Sequence, residues 1–366
     1  MRANSLKTLA IVVCIFFFTS NLSGMFLPVY FQDLGLNVAE IVEILLFTFI
    51  VIGLLPLILL KFVKNFERIM MFGIFSTILF YIVLIYIKTP YFLGLTYGLS
   101  IATFWPSFNL LQFRLSESRI RARTLSLFSS IIPSLASIVG PAVGGFTISN
   151  FGFPTLFTVS IILYFIAFFF SIRLEFRPET HEFSIPKKGI FAIFFLSFIF
   201  LGLSEAYWLA YPFFVHKVSG AVLFMGLVLS LSAILISAVT FLVNWLSDIK
   251  GTRAEFAIIG VILYALWYSL IAFASTMNQI VALSLLSGLA GAFSLSWFAH
   301  YGDSFSREDY ASILVLMEVG LMIGRILNLA PTYLLMSEAS YSSYFLLLGV
   351  VSLFLIPLYV LSKRNR

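Results

Sequence analysis

Long apolar runs recur from one end of the chain to the other, and they restrict its fold more than any motif does. They fall near residues 7–30, 38–62, 67–87, 91–113, 123–149 and 153–173, then near 188–215, 221–247, 253–275, 279–302, 308–337 and 341–362. As helices rising about 1.5 Å per residue, runs of this length cross roughly 30 Å of hydrocarbon. Lipid offers no partner for backbone N–H and C=O groups, so a spanning segment must satisfy them internally. Composition points the same way: 61% of the 366 residues are apolar and 10% are charged, with a mean hydropathy of +1.07. Soluble domains carry about 25% charge, and so few charges cannot cover a surface that faces water. The expectation is an all-α integral membrane protein of about twelve transmembrane helices, with the lipid bilayer as its outer solvent and loops too short for a soluble domain.

The basic residues give these runs a direction. An even number of spans returns both termini to one side, and placing that side in the cytoplasm puts Lys61, Lys64 and Arg68 there, with Arg114, Arg119, Arg121 and Arg123. Arg173, Arg177, Lys187 and Lys188 join them, as do Lys250, Arg253, Arg307 and the tail residues Lys363, Arg364 and Arg366. With Arg2 and Lys7, about 19 of the 22 Lys and Arg residues are then inside, as the positive-inside rule expects. Lys88 and Lys217 fall outside, and Arg325 lies within a span. The net charge of +6 thus reads as topology in a cell membrane, not as nucleic-acid binding. The first run continues to Tyr30 without a small-residue cleavage site, which marks it as a retained helix. The longest connection, Ser171 to Pro186, divides the chain into a first six-helix bundle over 1–173, a cytoplasmic linker over 174–187 and a second bundle over 188–366.

Several chemistries find no residues to perform them. Cys14 is the single cysteine, so neither a disulfide framework nor a thiol pair forms within the chain. His181, His216 and His300 are far apart and lack i, i+4 spacing, so no metal site is expected. No Ser/His/Asp arrangement or phosphate-cradling Gly-rich loop before a lysine emerges. An enzyme, a bound cofactor and ATP-driven transport are therefore not expected.

The two sets of runs carry traces of a repeat. An offset of 190 aligns Gly98-Leu99 with Gly288-Leu289 and Pro141 with Pro331, and an offset of 184 places Ser20-Asn21 and Pro28 on Ser204-Glu205 and Pro212. After the eighth span, Asn244 to Arg253 includes Asp248, Gly251 and Arg253 at the spacing D-x-x-G-x-R. Gly251 suits a tight turn of positive φ, and a carboxylate there can meet a neighbouring Arg or helix N-terminal amides. In the fifth span stands Gly140-Pro141-Ala142-Val143-Gly144-Gly145, followed by Phe151-Gly152-Phe153-Pro154. These segments resemble the loop signature and the antiporter-type G-P-x-x-G-G signature of the major facilitator superfamily. Asn244 replaces the first glycine of the loop signature, and the first-half counterpart, Leu60 to Arg68, has Phe62 where the acid belongs. The resemblance implies two pseudo-symmetric six-helix bundles, a substrate path between them near the midplane and alternating access by rocking. Gly140, Pro141, Gly144 and Gly145 would serve conformational change, or simply form a kinked small-residue packing face.

Charges inside spans cost roughly 2.5–3.5 kcal/mol at a helix centre, which singles out Glu205, Glu318 and Arg325. Trp208 is three residues beyond Glu205, on the same face if the segment is helical. An acid beside aromatics suits a cation or an exchangeable proton; otherwise Glu205 is an acid hydrogen-bonded to a polar neighbour such as Asn21. Glu318 and Arg325 are seven residues apart, about 10 Å along one helix, so each is expected to seek another partner. Arg325 would hold an anionic substrate, lock onto Glu205 or Glu318 in one state, or sit in a permanent buried pair. Asn21, Trp105, Asn109, Trp297 and Asn328 are candidates to complete the cavity.

The resulting expectation is a secondary transporter that exports amphipathic or cationic small molecules in exchange for protons or another coupling ion. Import of organic anions or sugars, led by Arg325, is the alternative within transport, and a non-transporting sensor or assembly factor is the alternative outside it.

Overall fold

A computed structural model describes residues 3–63, 65–115, 132–174, 183–186, 189–206, 208–338 and 340–364. The start of the fifth span, most of the 174–187 linker, and Arg2, Lys64, Arg119, Arg121, Arg123, Arg177, His181, Lys187, Lys188 and Arg366 lie outside them. Among the described residues the chain is helical, with no strand.

In the first half, α1 is Ala3–Ser23, a 3-10 turn covers Gly24–Phe26, and α2 is Leu27–Asp33. Then come α3 (Val38–Phe62), α4 (Ile69–Tyr86), α5 (Pro90–Leu115) and α6 (Ile132–Ser171). Asn37 and Glu40 form a reciprocal capping box that starts α3 by satisfying amides no helix can bond internally. Gly152, at φ 80° and ψ 170°, breaks α6 into two limbs in a region only glycine occupies readily. That break is the Phe151-to-Pro154 turn, so α6 contains both the fifth and the sixth runs.

In the second half, α7 (Gly189–Leu203) gives way to a non-helical segment before α8 (Ala210–Ser219). The chain continues as α9 (Val222–Lys250), α10 (Arg253–Ile271), α11 (Met277–Asp303), α12 (Tyr310–Ser337), α13 (Tyr341–Leu353) and α14 (Leu355–Arg364). Thr276 and Gln279 cap α11 as Asn37 and Glu40 cap α3. Joined across their breaks, the described helices make twelve traverses of the bundle.

Eight helical stretches among the described residues are long and apolar enough to cross a membrane by length and composition. α5 is not one of them, because Thr96, Tyr97, Ser100, Thr103, Trp105, Ser107, Asn109 and Gln112 lower its hydropathy. Several of these line the central cavity. α7 falls short because its span is interrupted. The interruptions of the first and seventh spans come where the 184 offset aligns Pro28 with Pro212, each near the start of the helix that resumes the span. Proline is tolerated there because the first-turn N–H has no helical partner.

Helix contacts repeat the same plan twice. α1 lies along α6 and α6 along α9; α7 lies along α12 and α12 along α3. A Cβ on Gly144 would stand 2.0 Å from the Leu22 oxygen, and one on Gly324 2.0 Å from the Ile199 oxygen, so backbones touch within each half. Between halves, a Cβ on Gly226 of α9 would meet the Pro141 oxygen at 2.2 Å, and one on Gly53 of α3 would meet the Met322 side chain at 2.4 Å. Outward faces are apolar, with Ile58, Phe72, Phe165 and Leu242 exposed, as suits lipid.

Candidate functional site

A cavity of about 570 Å³ lies between the halves. The first half supplies Phe16 and Ser20 from α1, Thr77, Phe80 and Tyr81 from α4, Tyr97, Ser100, Phe104, Trp105 and Asn109 from α5, and Tyr164 from α6. The second supplies Glu205 and Trp208 from the broken seventh span, Leu295 and Phe298 from α11, and Met317, Glu318, Leu321 and Arg325 from α12. Aromatic rings build the first-half wall: Phe16 stacks on Phe104 at 3.6 Å, and Phe80 on Tyr97 at 4.6 Å. Ser23 and Tyr81 share a 2.6 Å hydroxyl contact behind it.

The charged wall comes from the second half. Arg325 presents Nε and Nη2 to Oε2 and Oε1 of Glu205, each at 2.9 Å, a two-bond fork that fixes the guanidinium plane. Trp208 donates its indole N–H to the same carboxylate, and Asn328 donates to the Glu205 backbone oxygen at 3.0 Å. Tyr344 in turn donates to Asn328 Oδ1 at 3.1 Å. The guanidinium carbon lies 5.3 Å from the Trp208 ring and 5.8 Å from that of Phe49. Arg325 Nη1 also approaches Glu318 Oε2, at 3.8 Å. One guanidinium thus stands between two carboxylates in a largely enclosed site.

Two sequence expectations need correcting here. Glu205 and Trp208 meet, but in the non-helical segment between α7 and α8, not across one helical face. A discontinuous helix at the cavity frees backbone groups for such contacts, as the bond from Asn328 to Glu205 illustrates. Glu318 and Arg325 do approach each other, because the long arginine side chain folds back along α12 toward Glu318 while its fork faces Glu205.

The other candidates divide. Trp105 and Asn109 line the cavity. Asn21 faces an adjoining chamber of about 200 Å³ bounded by Tyr97 and Trp208, and donates to the Phe17 oxygen; it is not the partner of Glu205. Trp297 turns into the second half's own packing, stacked on Tyr359 at 3.7 Å and against Phe194 at 4.6 Å, while Leu295 and Phe298 take the cavity positions on α11. Phe49 and Tyr97, which flank Trp208, were not singled out from sequence, since isolated aromatics in so aromatic a chain carry no signal.

The fifth-span signature sits at a junction of three helices. Gly140 and Gly144 face α1, where a Cβ on Gly140 would lie 3.2 Å from Leu22 N; Gly145 faces α9, 2.9 Å from Leu223 Cα. The Pro141 carbonyl abuts Gly226, and Ala142 N–H is met by Ser230 Oγ of α9 at 3.2 Å.

The turn after α9 holds a buried charge cluster. Gly251 has φ 65°, which returns Arg253 toward Asp248, and Arg253 Nη2 bonds Asp248 Oδ1 at 2.7 Å. Nη1 of Arg253 contacts Asp303 at the end of α11, an acid that sequence inspection passed over because it has no motif around it. Asn244, in the signature's first glycine position, accepts from Ser296 of α11 at 3.0 Å. At that same end Phe113 joins the halves through Phe298 at 4.7 Å and Tyr310 at 5.2 Å, and at the opposite end α2 meets α8. No group of three or more His, Cys, Asp or Glu able to hold a metal occurs among the described residues.

Comparison with known proteins places this geometry. The Major Facilitator Superfamily model matches residues 9–189 and again 190–366. A Bacillus subtilis protein, the uncharacterized YqgE, is 29% identical over 184 residues, 45% of this chain and 41% of its own. The methylenomycin A resistance protein of Streptomyces coelicolor is 31% identical over 123 residues, 32% of this chain and 26% of its own. The aligned stretches thus span less than half of either relative. Among solved structures, the E. coli fucose:proton symporter FucP superposes with a TM-score of 0.69 at 13% identity, covering 98% of both chains. The nucleoside transporter NupG gives 0.69 at 16% identity over 99% of both. The human organic anion transporter MFSD10 gives 0.68 at 13% identity, over 96% of this chain and 99% of its own.

Proposed function

Because the chain belongs to the Major Facilitator Superfamily, we propose that it is a secondary transporter that exports amphipathic or cationic small molecules in exchange for protons. The observation that carries this reading is the Glu205, Arg325 and Glu318 cluster facing an aromatic cavity between the halves. With all three groups ionised it bears one net negative charge in a poorly solvated site, which favours a cation or a proton. Aromatic faces suit the apolar body of an amphipathic cation and attract its charge. The Glu205 fork occupies Arg325, and the Trp208 bond anchors the same carboxylate, which weighs against an arginine free to receive an anion. The resistance protein among the relatives agrees with export.

On this reading 1–173 and 188–366 move as two bodies joined by the 174–187 linker, in a cell membrane with both termini in the cytoplasm. The close backbone contact of Pro141 with Gly226 supplies a surface on which the bodies pivot, and the Asp248, Arg253 and Asp303 cluster holds α9, α10 and α11 together during that motion.

Reconstituted vesicles with an imposed pH gradient test the proposal over a panel of lipophilic cations, organic anions and sugars. Cation flux with opposite proton movement is the expected result. Flux of anions or sugars alone would overturn it and transfer the binding role to Arg325.

A further inference from the structure

Arg325 serves its two carboxylates unequally. Glu205 accepts from Nε and Nη2 of Arg325 and from the Trp208 indole, while Glu318 has only the 3.8 Å approach of Nη1, beyond hydrogen-bond reach. Yet the Glu318 side chain is the more enclosed, 7% exposed against 28% for Glu205. An ionised carboxylate enclosed without its full set of donors is costly, and a second negative charge beside one guanidinium adds to the cost. Placing a proton on Glu205 would remove the acceptor's charge from the fork and set a hydroxyl where a guanidinium N–H now donates. Placing it on Glu318 gives up one distant contact. Glu318 also faces the cavity between Met317 and Leu321, within reach of what binds there.

We infer that Glu318 is the acid that takes up and releases the coupling proton, and that Glu205 is a positioning residue that holds Arg325 and Trp208. The inference rests on the proton-coupled reading above and divides the labour within that site. When Glu318 is protonated, the cluster is neutral; when a monovalent cation displaces that proton, it is neutral again. Cation affinity should then fall about tenfold per unit of acidification where the acid is protonated, the limit for mutually exclusive binding of one proton and one cation.

Infrared difference spectroscopy on the full-length protein during acidification reads the acid directly, through the carbonyl stretch of a protonated carboxyl. A band that titrates in wild type, vanishes in Glu318→Gln and persists in Glu205→Gln is expected. Glu318→Asp should keep the band with a changed midpoint, which serves if the Gln variant fails to fold. A band that survives Glu318→Gln, depends on Glu205 alone or is missing from wild type overturns the assignment. In parallel, tetraphenylphosphonium binding should lose its pH dependence in Glu318→Gln while proton release per bound cation falls to background. A band that depends on Glu318, in a protein that neither binds nor moves tetraphenylphosphonium, counts against the export reading while upholding Glu318 as the proton-carrying acid.

Discussion

Adding one methyl group at Gly144 tests how the first half is held together. In lipid the apolar surface gains nothing by leaving one apolar solvent for another, so helices associate through close packing. The Cβ of Gly144→Ala would lie 2.0 Å from the Leu22 oxygen and 2.7 Å from the Phe26 ring, where real Cβ contacts stay beyond 3.0 Å. α1 and α6 must therefore separate by about 1 Å, which forfeits a quarter to a half of each dispersion contact along the seam. Overpacking of this kind costs about 1–3 kcal/mol. With an unfolding entropy of about 2.1 cal/mol/K per residue, that lowers Tm by about 1–4 °C for a chain of this length. Thermal unfolding in mild detergent, followed by circular dichroism, measures it. Gly189→Ala is the control, since among the described residues no atom beyond its own helix turn lies within 4 Å of a Cβ there. Equal or higher Tm for Gly144→Ala than for wild type would refute close packing as the role of this glycine. Gly226→Ala, pressed against the Pro141 oxygen of the other half, should slow vesicle flux by more than its Tm change accounts for.

Glu205→Gln should cost about 3 kcal/mol of stability, the lower end for a broken buried pair because the site is partly open to the cavity; adding Arg325→Gln should restore part of the loss, and a double variant no more stable than the single one would contradict the pairing. Arg253→Met strands Asp248 and Asp303 together in a buried site and should lower Tm far more than Lys363→Met, whose exposed pair with Glu255 is worth at most about 1 kcal/mol. Trp208→Phe keeps the ring against Phe49 and Tyr97 but removes the donor to Glu205, so chemical unfolding should show a loss of about 1.5–3 kcal/mol.

Much of the architecture was legible from local chemistry. The apolar runs located the traverses, and the run at 38–62 coincides with α3, whose start is written in Asn37 and Glu40. Gly251 marked a turn of positive φ, while the alignment of Pro28 with Pro212 spoke only for a repeat and the interruption of both spans beside these prolines came from the structure. Glu205, Glu318 and Arg325 stood out because charge inside an apolar run is costly wherever it points. The pairing of these groups was less legible. An i, i+7 spacing left Glu318 and Arg325 apart, yet the arginine spans that gap while its fork engages a residue 120 positions away.

By itself the sequence determined that the chain is helical and membrane-embedded, where its segments lie, and which side chains need a reason to be buried, because in lipid each segment answers for its own backbone and its own charges. Only the tertiary structure decided that Glu205 clamps Arg325, that Trp297 packs on Tyr359 away from the cavity, and that Asp303 closes on Arg253. Lipid-facing and core-facing surfaces are both largely apolar, so outside a polar-lined helix such as α5 little along the chain records a helix's rotation. That rotation is set where glycine backbones touch, as at Gly144 with Leu22 and Gly324 with Ile199, and such contacts exist only once the helices have crossed.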